Sequence, residues 1–506
     1  MDAKFEIIKK DVLGRVGRLK TRHGTIETPT ILPVINPKNM VVSPKDMKKI
    51  GAEAIITNSY IIYSSQRLRD QARAEGLHNM LNFDRAIMTD SGSFQLSVYG
   101  DIDVENVEIL RFQKEIGSDI CVPLDIPTKP DEKYNEADAD VRVTVDRLKE
   151  MASIKDEFKD NILVAPIQGS TYRDLRRKNA IEASRLDFDL YAIGAIVPLL
   201  EEYRYDAIVD AVIASKLNIP SDKPVHLFGA GHPMGFAISV LMGCDLFDSA
   251  SYILYAMDKR YLTVNGTYKL SDLRYFQCSC PVCSKYTPEE IRGMNNNEIV
   301  RLLAIHNLYE SFTEIRRIKQ AIMDGRLWEL AQIRCTSHPK LLNGLRRFVK
   351  YSNNLERYDV SSKLAFFYGG VESNRRTEVI RYRKKLRSMP IKTTPALITT
   401  VVPNTSKLIE DIINEPYYND YKSIYYLRPP FGPYPLELSE TYPLNFESPD
   451  IIDKEMVRTA LLNLIVFLGN RANKGKDITF EYDKRYRDPL IEKIKRWADV
   501  RLIDEI

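Results

Sequence analysis

The sequence contains no run approaching the roughly 20 continuous apolar residues that a membrane-crossing helix needs, which excludes an integral α-helical membrane protein. Its opening segment, MDAKFEIIKKDVLGRVGRLK, lacks the apolar block of a secretory signal peptide and alternates apolar with charged residues as strands do. A cytoplasmic protein is therefore expected. Cysteine is scarce, at six in 506 residues, too few for a disulfide framework. Neither GxGxxG nor GxxxxGK[ST] follows the first apolar strand, so the usual phosphate-cradling loops are missing. An excess of one charge is also missing. Lys plus Arg (73) exceeds Asp plus Glu (69) by 4, a balance that neither demands nor excludes a nucleic-acid partner and shifts attention to local clusters.

What is present is rhythm. The chain is too long for one ordinary core, so several domains are expected. Its first half repeats a short apolar, β-branched run followed by a longer helical pattern. The candidate strands are Pro29–Ile35, Ala52–Thr57, Ala86–Thr89, Ile120–Leu124, Ile162–Ile167, Leu190–Ile193, Val225–Phe228 and Cys244–Phe247. Most are continuously apolar, as strands buried on both faces are. Amphipathic stretches such as Asn106–Ile116, Tyr172–Arg185 and Pro233–Met242 separate them. Eight such units predict an α/β fold, a closed (β/α)8 TIM barrel. An open doubly wound sheet would show about five or six strands.

The residues directly after these strands are Asn58, Asp90, Asp125, Gln168, Gly194, Gly229 and Asp248. The C-terminal strand ends form the active-site face of such barrels. Any one Asp there can simply cap the next helix; three Asp and a Gln converging on one rim are harder to explain as caps. Farther along, Cys278-Ser-Cys280-Pro-Val-Cys283 forms a tight thiolate triplet, and tetrahedral zinc needs a fourth ligand from among His306, Cys335 and His338. His306 lies on the helical pattern Glu298–Ile322 that follows the loop. A filled Cys3His shell has no open position, so such a zinc is structural. Cys121 and Cys244 fall inside predicted strands and read as small buried hydrophobes.

The motifs Thr89-Asp90-Ser91-Gly92-Ser93-Phe94-Gln95, Gln168-Gly169-Ser170, Tyr191-Ala192-Ile193-Gly194-Ala195, Asp245-Leu246-Phe247-Asp248-Ser249-Ala250 and CxCxxC…His occur in the order found in the tRNA-guanine transglycosylases, which this sequence resembles. Ser93 and Ser170, where bacterial members carry glycine, and the extension past residue 345 resemble the archaeal branch. The resemblance implies replacement of guanine at position fifteen of the tRNA D arm by preQ0 (7-cyano-7-deazaguanine), the first tRNA-level step toward archaeosine. It implies Asp248 as the nucleophile at ribose C1′ and Asp90 as the second carboxylate, handling protons or hydrogen bonds. Asp125 would read the base's N1–H and amine, and Gln168 with the backbone at Gly194 and Ala195 would meet O6. Phe94 and Met257 would sandwich the ring. Structural Zn2+ on Cys278, Cys280, Cys283 and His306, a tRNA partner and a homodimer are implied as well, with no ATP or redox cofactor. Alternatives are a queuine-type enzyme acting on the anticodon and a non-catalytic tRNA-binding paralogue, which would be expected to lose one of the key aspartates. A metal-dependent hydrolase would want more strand-end histidines than His226 and His232.

The barrel with its zinc site is expected to span 1–345. A basic domain would follow at 346–432, in which Arg375, Arg376, Arg381, Arg383, Lys384, Lys385 and Arg387 suggest phosphate contact. The Pro-rich stretch Arg428–Pro435 looks like a boundary before a small α/β module at 433–506, with a helix at Met456–Leu468 and a strand at Ile478–Tyr482. Archaeal members commonly end in an RNA-binding PUA domain. This sequence stops at Val500–Ile506, where that domain is expected to begin, which leaves two expectations: a separate PUA-bearing polypeptide supplies it, or the sequence is truncated there.

Overall fold

The computed structural model describes residues 4–93, 104–401 and 416–503. The chain forms two compact units, Met1–Phe348 and Val349–Ile506. No helix among the described residues is long and apolar enough to cross a membrane.

The first unit opens with an antiparallel sheet of β1 (Phe5–Asp11), β2 (Gly14–Thr21) and β3 (Gly24–Thr28). Eight strands then pair in parallel: β4 (Thr30–Ile35), β5 (Ala54–Asn58), β6 (Ala86–Asp90), β7 (Ile120–Cys121), β8 (Ile162–Ile167), β9 (Leu190–Ile193), β10 (Val225–Leu227) and β11 (Leu246–Ser249). Pairing of β11 with β4 closes them into the expected barrel. Because side chains alternate along a strand, one parity fills the interior: Leu32, Ala54, Ile56, Ala86, Met88, Ile120, Val122, Ile162, Val164, Leu190, Ala192 and Leu246. Phe5, Leu19 and Ile26 of the small sheet join that cluster and plug the end where the strands begin. At the same end, buried Arg15 grips Asp245 through two parallel 2.8 Å hydrogen bonds, and Asp245 also accepts the Val225 N–H at 2.8 Å.

Six strands depart from the expected spans, two of them most widely. Expected through Leu124, β7 stops at Cys121 because side chains of the helix Asn106–Glu115 take over its backbone. Gln113 accepts the Val122 N–H, and Asn106 accepts the Leu124 N–H, both at 2.9 Å. The other, β11, lies two residues later than expected and carries Asp248 inside its ladder, opposite Leu32. Helix Pro233–Leu241 is buried along its whole length, since it packs against the helices Asn296–Met323 and Leu327–Thr336. Beneath the barrel, the buried carboxylate of Asp119 accepts four N–H groups, from the His23 ring and backbone, the His78 ring and Ile87. These occupy all its lone-pair sites, which makes the His23–His78–Asp119 group a hydrogen-bonded staple.

The first unit also holds an antiparallel hairpin of β12 (Arg260–Thr263) and β13 (Gly266–Lys269). The second unit corrects the expected division at 432/433. Its sheet runs in the order β16–β15–β14–β17–β18, comprising β14 (Ala396–Thr399), β15 (Ser423–Arg428), β16 (Gly432–Pro435), β17 (Ile478–Tyr482) and β18 (Asp499–Leu502). One hydrophobic core spans Phe366 to Ile494. The Pro-rich stretch is the turn and edge strand of the β15–β16 hairpin, because an edge strand tolerates residues without an N–H. The basic segment is also less uniform than its sequence. Arg376 is fully buried, hydrogen-bonds to Glu378 at 2.7 Å and stacks over Phe366 at 4.1 Å. Arg381 spends its guanidinium on Glu356 and main-chain carbonyls, and Lys384 also pairs with Glu356. Arg375, Lys385 and Arg387 are exposed.

Candidate active site and metal centre

The parity that fills the barrel also aims its rim. Asn58 and Asp90 end β5 and β6, and Asp248 lies two residues beyond inward-facing Leu246, so all three continue the interior rows. Gln168 and Gly194 extend the rows of Val164 and Ala192. Asp125 reaches the same rim from the loop after β7.

Asp90 accepts from Asn58 Nδ2 at 3.2 Å, and the Ser59 hydroxyl donates to its main-chain oxygen at 2.7 Å. Burial of its carboxyl raises the pKa to about 7, aided by the charges of Asp125 and Asp248 and opposed by the Gly92 and Ser91 N–H groups. A carboxyl poised there can give and take a proton near neutrality. Asp248 is held differently. Its Oδ1 accepts the Gly229 N–H at 2.9 Å and lies 2.9 Å from the Nε2 of His226.

Between these carboxylates stands a wall suited to a flat heterocycle. Gln168 Nε2 donates to Asp125 Oδ2 at 2.5 Å, while its Oε1 accepts from the Thr128 hydroxyl at 3.3 Å. Asp125 is buried, which raises its pKa against the pull of Ser93, Gln168 and Arg147. Gly194 lies against this amide: a Cβ there would stand 2.3 Å from Gln168 Nε2, so any larger residue would displace the amide from Asp125. Behind it, the fully buried guanidinium of Arg176 donates to Ser170 O at 3.0 Å and to Ile167 O and Gly194 O at 2.9 Å each. Arg176 thereby ties the ends of β8 and β9 together through their carbonyls.

The second cluster fits a tetrahedral metal. Cys278, Cys280 and Cys283 place their Sγ atoms 3.3, 3.6 and 3.4 Å from His306 Nδ1. Zinc bonds of roughly 2.3 Å to sulfur and 2.0–2.1 Å to nitrogen give a tetrahedral edge of about 3.5 Å. His306 Nε2 faces Leu262 O at 2.9 Å, which puts the proton on that nitrogen and leaves Nδ1 free to ligate. Tyr261 stacks on the imidazole with ring centroids 3.6 Å apart and planes within 8°. Cys335 and His338, the other candidates, lie outside the four-residue cluster.

A family model described as queuine tRNA-ribosyltransferase matches residues 11–340, the barrel and the cysteine–histidine cluster together. The chain belongs to the tRNA-guanine transglycosylase family. A tRNA-guanine(15) transglycosylase of Methanosarcina barkeri is 49% identical over 98% of both chains. Those of Archaeoglobus fulgidus and Methanocaldococcus jannaschii are 46% and 48% identical, over 93% and 89% of this chain and 94% and 69% of their own.

For a transglycosylase of this kind, the structure brings Asp90, Asp125, Gln168, Gly194 and Asp248 to one rim. Ala195 follows with a positive φ of 56°, turning the backbone sharply beside Gly194. Phe94 lies outside the described residues. Met257 ends the helix Ser251–Met257 and is 58% exposed, off the inward rows. An inward aromatic among the described residues is Phe228, which packs on the barrel core and meets the His226 ring edge-on at 4.7 Å. Alternation from His226 was the signal for it in the sequence.

Proposed function

We propose that this chain exchanges guanine at position fifteen of tRNA for preQ0 through a covalent bond between Asp248 and the ribose. One observation carries the reading: two rim carboxylates in contrasting environments flank a wall matched to a guanine edge. Asp248, held by the Gly229 N–H, attacks C1′ as the C1′–N9 bond breaks. The departing base keeps that electron pair and takes a proton from Asp90, whose raised pKa suits the task. Asp90, now ionised, removes the N9 proton of the incoming base. That nitrogen then attacks C1′, and the ester bond's electrons return to Asp248. Ribose stereochemistry is retained after two inversions.

Asp125 accepts from N1–H and the exocyclic amine, while Gln168 and the backbone at Gly194 and Ala195 serve O6. Phe228, in place of Met257, is the described residue suited to stack on the ring, a contact worth about 1–3 kcal/mol. Zinc on the Cys3His cluster cross-links the loop to the helix Asn296–Met323 and supplies no open coordination position. Exposed Arg375, Lys385 and Arg387 suit tRNA phosphates. A homodimer completes the reading.

The test is labelled guanine exchange into unmodified tRNA with fragment mapping, using Asp248→Asn as control. Label at position fifteen that vanishes in the mutant supports the proposal. Label elsewhere, or near-normal exchange by Asp248→Asn, refutes it.

A further inference from the structure

His226 is the fully buried histidine of β10, paired in register with Ala192 on one side and Leu246 on the other. It shares the inward parity of Leu246 and Asp248. Its Nε2 lies 2.9 Å from Asp248 Oδ1, yet the ring is not aligned for a hydrogen bond there, and neither ring nitrogen has another partner. A buried polar group left unsatisfied costs about 1–3 kcal/mol, so a native fold keeps one where it has a use. The proton's place follows from the contact. A bare nitrogen at that distance would set its lone pair against the carboxylate's, so Nε2 carries the hydrogen.

We infer that His226 is a positioning residue for the base exchange, acting through Asp248. The inference rests on Asp248 being the nucleophile. With the Gly229 N–H at 2.9 Å, the His226 Nε2–H makes Oδ1 the doubly supported oxygen and leaves Oδ2 as the one that bonds to C1′. In the covalent adduct Oδ1 is the ester carbonyl. As the second base attacks C1′, the Oδ2–C1′ bond breaks and negative charge returns to the carboxylate. Both N–H groups then meet the charge that develops on Oδ1, as donors aimed at an oxyanion do. A small rotation of the ring aligns its N–H, so the contact tightens as the reaction proceeds and favours the transition state over bound substrate.

The experiment compares His226→Met with His226→Gln, which keeps an N–H donor at similar reach. Exchange rate, KM for guanine and tRNA, covalent adduct on denaturing gels and melting temperature are measured for each. We expect His226→Met to lose kcat on the order of a hundredfold with KM nearly unchanged and its melting temperature kept or raised. His226→Gln should recover most of the rate. Normal kcat in His226→Met, or a loss that merely follows unfolding, overturns the inference. A spectroscopic check does not need the Met variant to fold. Nitrogen-15 spectra of the six histidines should show His226 protonated at Nε2, and a bare Nε2 would also overturn it. Adduct formation by Asp248→Asn would instead sink the nucleophile assignment, which separates the two failures.

Discussion

Replacing Arg176 with methionine measures how far the base-binding wall depends on one guanidinium. Burial lowers the Arg176 pKa to about 9, and it hydrogen-bonds to carbonyls, with no carboxylate among the described residues beside it. Three hydrogen bonds vanish in Arg176→Met. Ile167 O keeps the Gly194 N–H at 3.1 Å, so the main loss falls on Ser170 O and Gly194 O. Two orphaned carbonyls cost about 2–6 kcal/mol, and releasing an unpaired buried charge returns a part of that. A net destabilisation of about 2 kcal/mol follows, only a few degrees in melting temperature for a unit of this size. The effect on the base should be larger. With Gly194 untied, the adjoining Ala195 N–H no longer faces O6 at a fixed distance, and losing one such donor raises KM for guanine roughly tenfold per 1.4 kcal/mol. Arg176→Lys should rescue little, because an ammonium cannot span three carbonyls. Exchange kinetics against guanine concentration, beside calorimetry, read both quantities. An unchanged KM in folded Arg176→Met would refute the reasoning.

Asp90 should give kcat/KM for exchange a limb near pH 7, which Asp125→Asn shifts downward by removing one of the charges that raise its pKa. The sign for stability is set by the same elevation: a carboxyl raised from 3.8 to about 7 favours folding at low pH, and that contribution is lost as pH rises through 7. Asp90→Asn, always neutral, should therefore melt with wild type at pH 4 but above it at pH 9; equal melting at both would contradict the burial argument. Metal analysis of the purified protein should find zinc, and Cys283→Ser should release it and lower the melting temperature by several degrees. Exchange should persist in whatever fraction stays folded, so a folded, metal-free and inactive protein would argue against a purely structural ion.

The barrel was legible in the sequence because strands buried on both faces leave continuous apolar runs, and Ile162–Ile167 and Leu190–Ile193 begin and end as expected. The boundaries that moved did so for reasons outside the strands. Gln113 and Asn106 end β7 from a neighbouring helix, and pairing with Leu32 draws Asp248 into β11. Motif spacing sufficed for the three thiols, which are local, but left the fourth ligand open among His306, Cys335 and His338 until the fold brought His306 to them. Resemblance named Met257 for ring stacking; it is exposed, off the inward rows, whereas the alternation that turns His226 inward also turns Phe228 inward. Charge counting in the C-terminal unit could not separate Arg376, which neutralises buried Glu378, from exposed Arg375. Its sheet was hidden because β14, β15 and β17 come from distant segments, and proline on an edge strand looks like a linker.

The grip of Arg15 on Asp245 has a consequence for change in this barrel. Only Leu246 and Phe247 separate that grip from Asp248, so the rim carboxylate inherits its placement from a joint that no substrate reaches. Selection on chemistry at one face then bears on an ion pair at the opposite face. Anyone redesigning the rim for another base has freedom in the loops, but the floor must be inherited unaltered.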